Sequence, residues 1–265
     1  MAARETRPGA AASLARSERA VTGAGLLALT LLSWLYLALL ADSMDAMDGA
    51  GSGAAFMALM PMGRWAPAEF ALCFAMWLVM MIAMMVPSAA PMLLAFLSFS
   101  RSRAGGEQAG QRFAAFLLGY LLVWAAFSAV ATGAQWALRE ASLVTDLMAS
   151  ASSRLNGVLL IGAGLYQFAA AKQVCLARCR SPLAFVLMEW RAGSRGALVM
   201  GLRHGGFCVG CCWGLMALLF VGGVMNLLWI AVLSAVVLAE KLLPFGAMPS
   251  KIAGAAMVAC GLWLL

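Results

Sequence analysis

The 265-residue chain is 64% hydrophobic and 11% charged, with a formal net charge of +7 and a mean hydropathy of +0.92. Soluble domains carry about a quarter charged residues, so this composition excludes an ordinary cytosolic enzyme, a disordered tail and a nucleic-acid-binding module. The basic residues sit between long apolar runs, where they set membrane topology instead of binding an anionic polymer.

In chain order the apolar runs fall at about 21–41, 69–97, 113–137, 154–171, 203–223, 226–240 and 250–265. In lipid only helices and closed barrels satisfy their own backbone, and unalternating runs of this length are helices. The sequence therefore predicts an all-α, polytopic transmembrane bundle of six to seven spans, because the last two runs are short of the about 20 residues a crossing takes. A basic tail (1–20) precedes a single transmembrane domain (21–265). The first run is too long for the apolar region of a signal peptide and is read as a span.

With the N-terminus in the cytoplasm, inside segments hold 15 of the 18 Lys and Arg residues, and only Arg64, Arg139 and Arg154 fall outside. That asymmetry predicts an N-in orientation. An outer loop, about 42–68, carries Met44, Met47, Met57, Met60 and Met62 beside Asp42, Asp45 and Asp48. An inner basic loop, about 172–202, carries Cys175 and Cys179. Within it Ser181–Pro182 reads as an N-cap and N1 pair opening a short interfacial helix.

Sulfur is the chemical theme, with 19 Met, seven Cys and a single histidine. His204-Gly-Gly-Phe-Cys208-Val-Gly-Cys211-Cys212 lies at the inner end of the fifth run. On a helix Cys208, Cys211 and Cys212 fall within about 100° of one another, and His204 extends that face. Thiolates and thioethers select Cu(I), zinc or iron–sulfur clusters over hard ions. A single buried cysteine is commonly a small apolar residue, but three on one face beside the only histidine point to a soft-metal site. In the second run Met76, Met80 and Met84 form one helical stripe and Met81 and Met85 a second. Thioethers bind Cu(I) well and zinc poorly, although methionine is also a flexible core filler. Pro87 and Pro91 are expected to kink or interrupt that helix. If helical, Cys175 and Cys179 share a face at i, i+4, and they are candidates for a second thiolate site or a metal entry point. Glu240 and Lys241 are ionisable residues at depth, read as a mutual pair or a functional group. Tyr166, Gln167 and Asn226 are assigned to interhelical hydrogen bonds.

The blocks MWLVMMIAMMVPSAAP (76–91), YQFAAAKQVCLARCRSP (166–182), GLRHGGFCVGCCWGLM (201–216) and MNLLWIAVLSAVVLAEK (225–241) resemble a bacterial family described as predicted metal-binding integral membrane proteins. Some members of that family carry the label copper chaperone. The resemblance implies a membrane location and metal binding, and implies no reaction.

The expected function is thus binding of a soft ion, Cu(I) first and Zn(II) second, for handling, transfer or transport. The primary ligands are Cys208, Cys211 and Cys212, and Met80, Met81, Met84 and Met85 are auxiliary or transit ligands. His204 is an optional ligand. No catalytic machinery is expected. The partners are the lipid bilayer and a metal donor or acceptor protein, with a homo-oligomer left open and no nucleic acid. A membrane thiol–disulfide oxidoreductase and a non-catalytic scaffold are the alternatives.

Overall fold

The structure, a computed structural model, describes residues 8–50, 67–104, 106–141 and 153–265. Every element among the described residues is a helix: α1 (Pro8–Ala50), α2 (Pro67–Ala104), α3 (Gly106–Glu140), α4 (Ser153–Phe168), α5 (Ala170–Arg180), α6 (Pro182–Glu189), α7 (Gly193–Ala217), α8 (Leu219–Gly222), α9 (Leu227–Leu242) and α10 (Met248–Leu264).

Four stretches are long and apolar enough to cross a membrane: Ser17–Asp42, Pro67–Arg103, Gln108–Glu140 and Gly193–Gly222. A fifth exists if α4 and α5, bent by 64° at their junction, count as one broken span. Among the described residues the six to seven expected spans thus meet four of full length, or five with the bent pair. α9 has 16 residues, and at about 1.5 Å per residue it reaches roughly 24 Å of a hydrocarbon core about 30 Å thick. α10, with 17 residues, is also short.

Both expected loops need correction. α1 continues as helix to Ala50, so the outer connection begins later than the hydropathy suggests. Met57, Met60, Met62 and Arg64 lie outside the described residues. The inner "loop" 172–202 is helix for nearly all its length, comprising α5, α6 and the first turns of α7. α6 begins with Pro182 in its first turn as expected, but the Ser181 side chain makes no cap hydrogen bond. α6 buries Phe185 and Val186 and exposes Leu183, Leu187 and Met188.

α2 runs unbroken through Pro87 and Pro91. A proline cannot donate to the carbonyl four residues earlier, so Pro87 leaves the Ala83 carbonyl free. The indole Nε1 of Trp34 on α1 donates to that carbonyl at 3.2 Å. The freed acceptor thereby joins α1 to α2, the way a membrane protein re-satisfies backbone exposed by a proline.

α3 packs lengthwise on α7, and α4 on α10. Both contacts depend on missing side chains. A Cβ at Gly201 would overlap the Phe116 carbonyl, and a Cβ at Gly164 would lie 2.8 Å from the Gly254 carbonyl oxygen. Without a strong hydrophobic drive between helices in lipid, close backbone approach of this kind supplies the packing energy. The core where α2, α3 and α7 meet buries Trp77, Trp124, Tyr120, Phe96 and Phe116 completely or nearly so. Trp77 donates to Gln135 Oε1 at 2.6 Å, which satisfies the one polar atom of a fully buried indole.

Candidate functional site

The glycine-flanked block of α7 places its three cysteines on the face turned toward α2, α3, α5 and α9. All three are buried, and all seven cysteines of the chain are free thiols. The Cys211 and Cys212 thiols donate back to the Cys208 carbonyl, at 3.1 and 2.9 Å. Cys212 Sγ also lies 3.9 Å from the Met85 thioether of α2. Cys179 of α5 comes within side-chain hydrogen-bonding reach of both Cys208 and Cys211. Three buried thiols of α7 and a thioether of α2 thus meet, with the half-buried Cys179 of α5 beside them.

Cys208 is the most heavily contacted of these sulfurs. The ammonium of Lys241, on α9, donates to Cys208 Sγ at 2.9 Å and to Ser88 Oγ at 3.0 Å. The Tyr120 hydroxyl lies 3.3 Å from the same sulfur and 3.2 Å from the Met85 carbonyl oxygen. The Ser88 hydroxyl donates to that carbonyl at 2.9 Å. Lys241, Ser88, Tyr120 and Met85 therefore form a polar network whose centre is a cysteine sulfur.

His204 stands one turn before Cys208 and is buried among rings. It stacks on Tyr120 and Phe116 with centroids 5.6 and 6.1 Å apart and meets the edge of Phe185 at 5.4 Å. Its Nδ1 has no hydrogen-bond partner. Buried polar atoms are ordinarily paired, so this nitrogen is an unspent acceptor or donor beside the thiols.

Among the described residues no three His, Cys, Asp or Glu side chains converge as a ready cage for a metal ion. The hydrogen bonds explain why: two thiols are turned onto a carbonyl and the third is held by an ammonium. The donor set suits a soft ion, and its use requires those thiols to rotate off their present partners.

Met76, Met80, Met81, Met84 and Met85 are all buried, but Met85 is the one with a sulfur contact to the cysteines. Cys175 is half-buried, with its Sγ facing α7 at Gly210, where a Cβ would come within 2.8 Å of it. It flanks the cluster on the side of Tyr166, whose hydroxyl donates to the Gly210 carbonyl at 2.5 Å. Tyr166 thus makes the expected interhelical bond. Asn226 instead caps α9, accepting from the Trp229 backbone at 3.1 Å, and Gln167 Oε1 is buried without a partner.

Glu240 and Lys241 do not pair with each other. Adjacent residues on a helix point about 100° apart, and each finds a separate partner. Glu240 takes Lys172 of α5 at 2.7 Å in a fully buried ion pair. Arg180 donates to the Glu240 carbonyl at 2.5 Å. Tyr120 and Ser88 were not foreseen as neighbours of the cluster. A tyrosine inside an otherwise apolar run was the available signal, since a buried phenol needs a partner.

Residues 74–264 match the model of the PpoB2 family, described as copper chaperone. No curated protein and no solved structure matches the chain. The family match takes in α2 from its second turn, the whole cysteine block and both buried lysines. With more than two-thirds of its length inside that match, the chain belongs to the PpoB2 family of copper chaperones.

Proposed function

We propose that this is a non-catalytic copper chaperone of the bacterial inner membrane, which takes up Cu(I) at a buried sulfur site and passes it to a protein partner. Cys208, Cys211 and Cys212 are the primary ligands. Cys179 joins them from α5, and Cys175 marks the entry side. Met85 is the auxiliary thioether, with Met80, Met81 and Met84 as transit ligands behind it. His204 is an optional further ligand through its unpartnered nitrogen. The basic residues keep the N-terminus and the α5–α6 region on the cytoplasmic side.

The observation that carries this reading is the meeting of three buried thiols and one thioether, with a fourth thiol beside them, in a chain from a copper-chaperone family. Thiolate and thioether donors favour Cu(I) over hard cations. Zn(II) is the competing ion, because thiolates also serve it.

The test is anaerobic titration of the detergent-purified protein with Cu(I) and with Zn(II), beside the variant carrying Cys208→Ser, Cys211→Ser and Cys212→Ser. Tight Cu(I) binding that disappears in the variant is the expected outcome. Zinc binding without copper moves the site to zinc handling. Equal, negligible binding in both proteins sinks the metal reading and favours thiol–disulfide exchange or a scaffold.

A further inference from the structure

Two lysines are buried in this chain, and their partners differ in kind. Lys172 answers Glu240, a carboxylate, so that pair is electrically neutral by itself. Lys241 makes no ion pair with a carboxylate among the described residues. Its ammonium is held by Cys208 Sγ and Ser88 Oγ. Arg180 directs donors to the backbone carbonyls of Glu240 and Gly246. A buried cation without an opposite charge is costly in any apolar surrounding and more so in a membrane. A lysine kept there, in contact with a sulfur, needs a reason in the chemistry of that sulfur.

The reason follows from counting charge. Cu(I) carries one positive charge; where two of the clustered cysteines bind it as thiolates and the others stay protonated, the two negative charges make the bis-thiolate complex a net anion. Zn(II) held by the same pair is neutral. We propose that Lys241 is the counter-cation of the loaded site: its fixed positive charge balances an anionic bis-thiolate Cu(I) complex that includes Cys208, and so biases the site toward a monovalent soft ion. This rests on the copper reading of the cysteine cluster.

With Lys241 present the Cu(I) complex and its surroundings sum to zero charge, whereas a Zn(II) bis-thiolate would leave one positive charge buried. On loading, the coordinating thiols release their protons to bulk water, and the ion displaces the ammonium from direct contact with Cys208 Sγ. The ammonium stays beside the complex on Ser88 Oγ, its second partner. Tyr120, whose hydroxyl lies 3.3 Å from the same sulfur, is uncharged and so favours neither ion by charge. Lys241 is thus a positioning residue that sets ion preference without being a ligand.

The experiment is anaerobic competition titration of the full-length protein in detergent with Cu(I) and, separately, Zn(II), for wild type, K241M, K241Q and K241R. Thermal unfolding of each variant establishes that it is folded. In the neutral variants Cu(I) affinity should fall by about 10–100-fold, the usual effect of removing a residue that supports a metal ligand. Zn(II) affinity should hold or rise, so the Cu(I)-to-Zn(II) ratio falls. K241R, which keeps the charge, should keep the preference. A merely structural lysine predicts that both ions weaken together, and an unchanged ratio in folded K241M or K241Q overturns the proposal while leaving the copper site standing. Loss of folded protein in both neutral variants, with K241R intact, overturns it too, by assigning the charge to folding. A wild type that binds no Cu(I), or a triple serine variant that binds it as well as wild type, removes the copper reading itself.

Discussion

Two neighbouring regions of this molecule each bury a lysine, and the contrast separates scaffold from site. At the α5–α9 contact Lys172 meets Glu240 at 2.7 Å, a closed pair of opposite charges. At the α2–α7–α9 contact Lys241 meets Cys208 at 2.9 Å, an ammonium facing a soft, reactive atom. Glu240 and Lys241 are consecutive in sequence, so one turn of α9 serves both regions. The lesson is that burial of a charge does not by itself mark function. The chemical type of the partner does: a carboxylate closes the account of charge, and a thiol leaves it open to a cargo.

The largest effect that sharpens this contrast is expected at the closed pair. Lys172→Met leaves the Glu240 carboxylate buried without its partner and should cost about 3–5 kcal/mol, read as a lowered unfolding midpoint in detergent. Lys172→Met combined with Glu240→Leu should recover most of that loss, because a well-packed apolar pair replaces a buried ion pair at little cost. If the single variant is as stable as wild type, the pair is not closed in the sense argued.

Lys241→Met should destabilise less, by at most about 2 kcal/mol, because the group it leaves behind is a thiol and not an obligate anion. A loss equal to that of Lys172→Met in the same unfolding assay would erase the distinction between the two regions.

Tyr120→Phe removes a hydroxyl shared between Cys208 and the Met85 carbonyl but keeps the ring stacked on His204. The expected loss is about 1 kcal/mol, again by thermal unfolding. A much larger loss would show that the phenol, and not Lys241, organises the sulfur network.

The smallest stability effects are expected in the methionine stripe. Met80→Leu, Met84→Leu and Met85→Leu conserve volume and should each cost under about 1.5 kcal/mol. They should part company in Cu(I) affinity, where Met85→Leu weakens binding and Met80→Leu leaves it unchanged. Equal weakening by all three would return the whole stripe to the ligand set, and no weakening by any would make it core packing alone.

Much of this architecture was legible in the sequence because lipid allows so few solutions. Long apolar runs had to become helices, since no water is present to satisfy an open backbone. The common face of Cys208, Cys211 and Cys212 followed from helical periodicity, and the family resemblance held on the same residues. Span count was not legible. The shortness of α9 and α10 already showed in the last two apolar runs, but hydropathy registers apolar length alone and carries no sign of the 64° break between α4 and α5. The helical state of residues 170–180 was hidden because its charges find their partners only in the fold. Lys172, Arg178 and Arg180 look like solvated loop charges until the fold supplies Glu240 and two backbone carbonyls to receive Lys172 and Arg180.

By itself, then, the sequence determined a sulfur-rich, all-helical chain with its thiols on one face of one helix, because those properties are local and periodic. Only the tertiary structure decided which charges meet which partners. It sent Lys172 to Glu240, Lys241 to Cys208, Trp34 to the carbonyl freed by Pro87, and one methionine of five to the cysteines. Such pairings join residues as far as 153 positions apart, as between Ser88 and Lys241. The physical reason is that a buried charge or donor takes the partner that helix packing brings near, and sequence spacing carries no record of that packing.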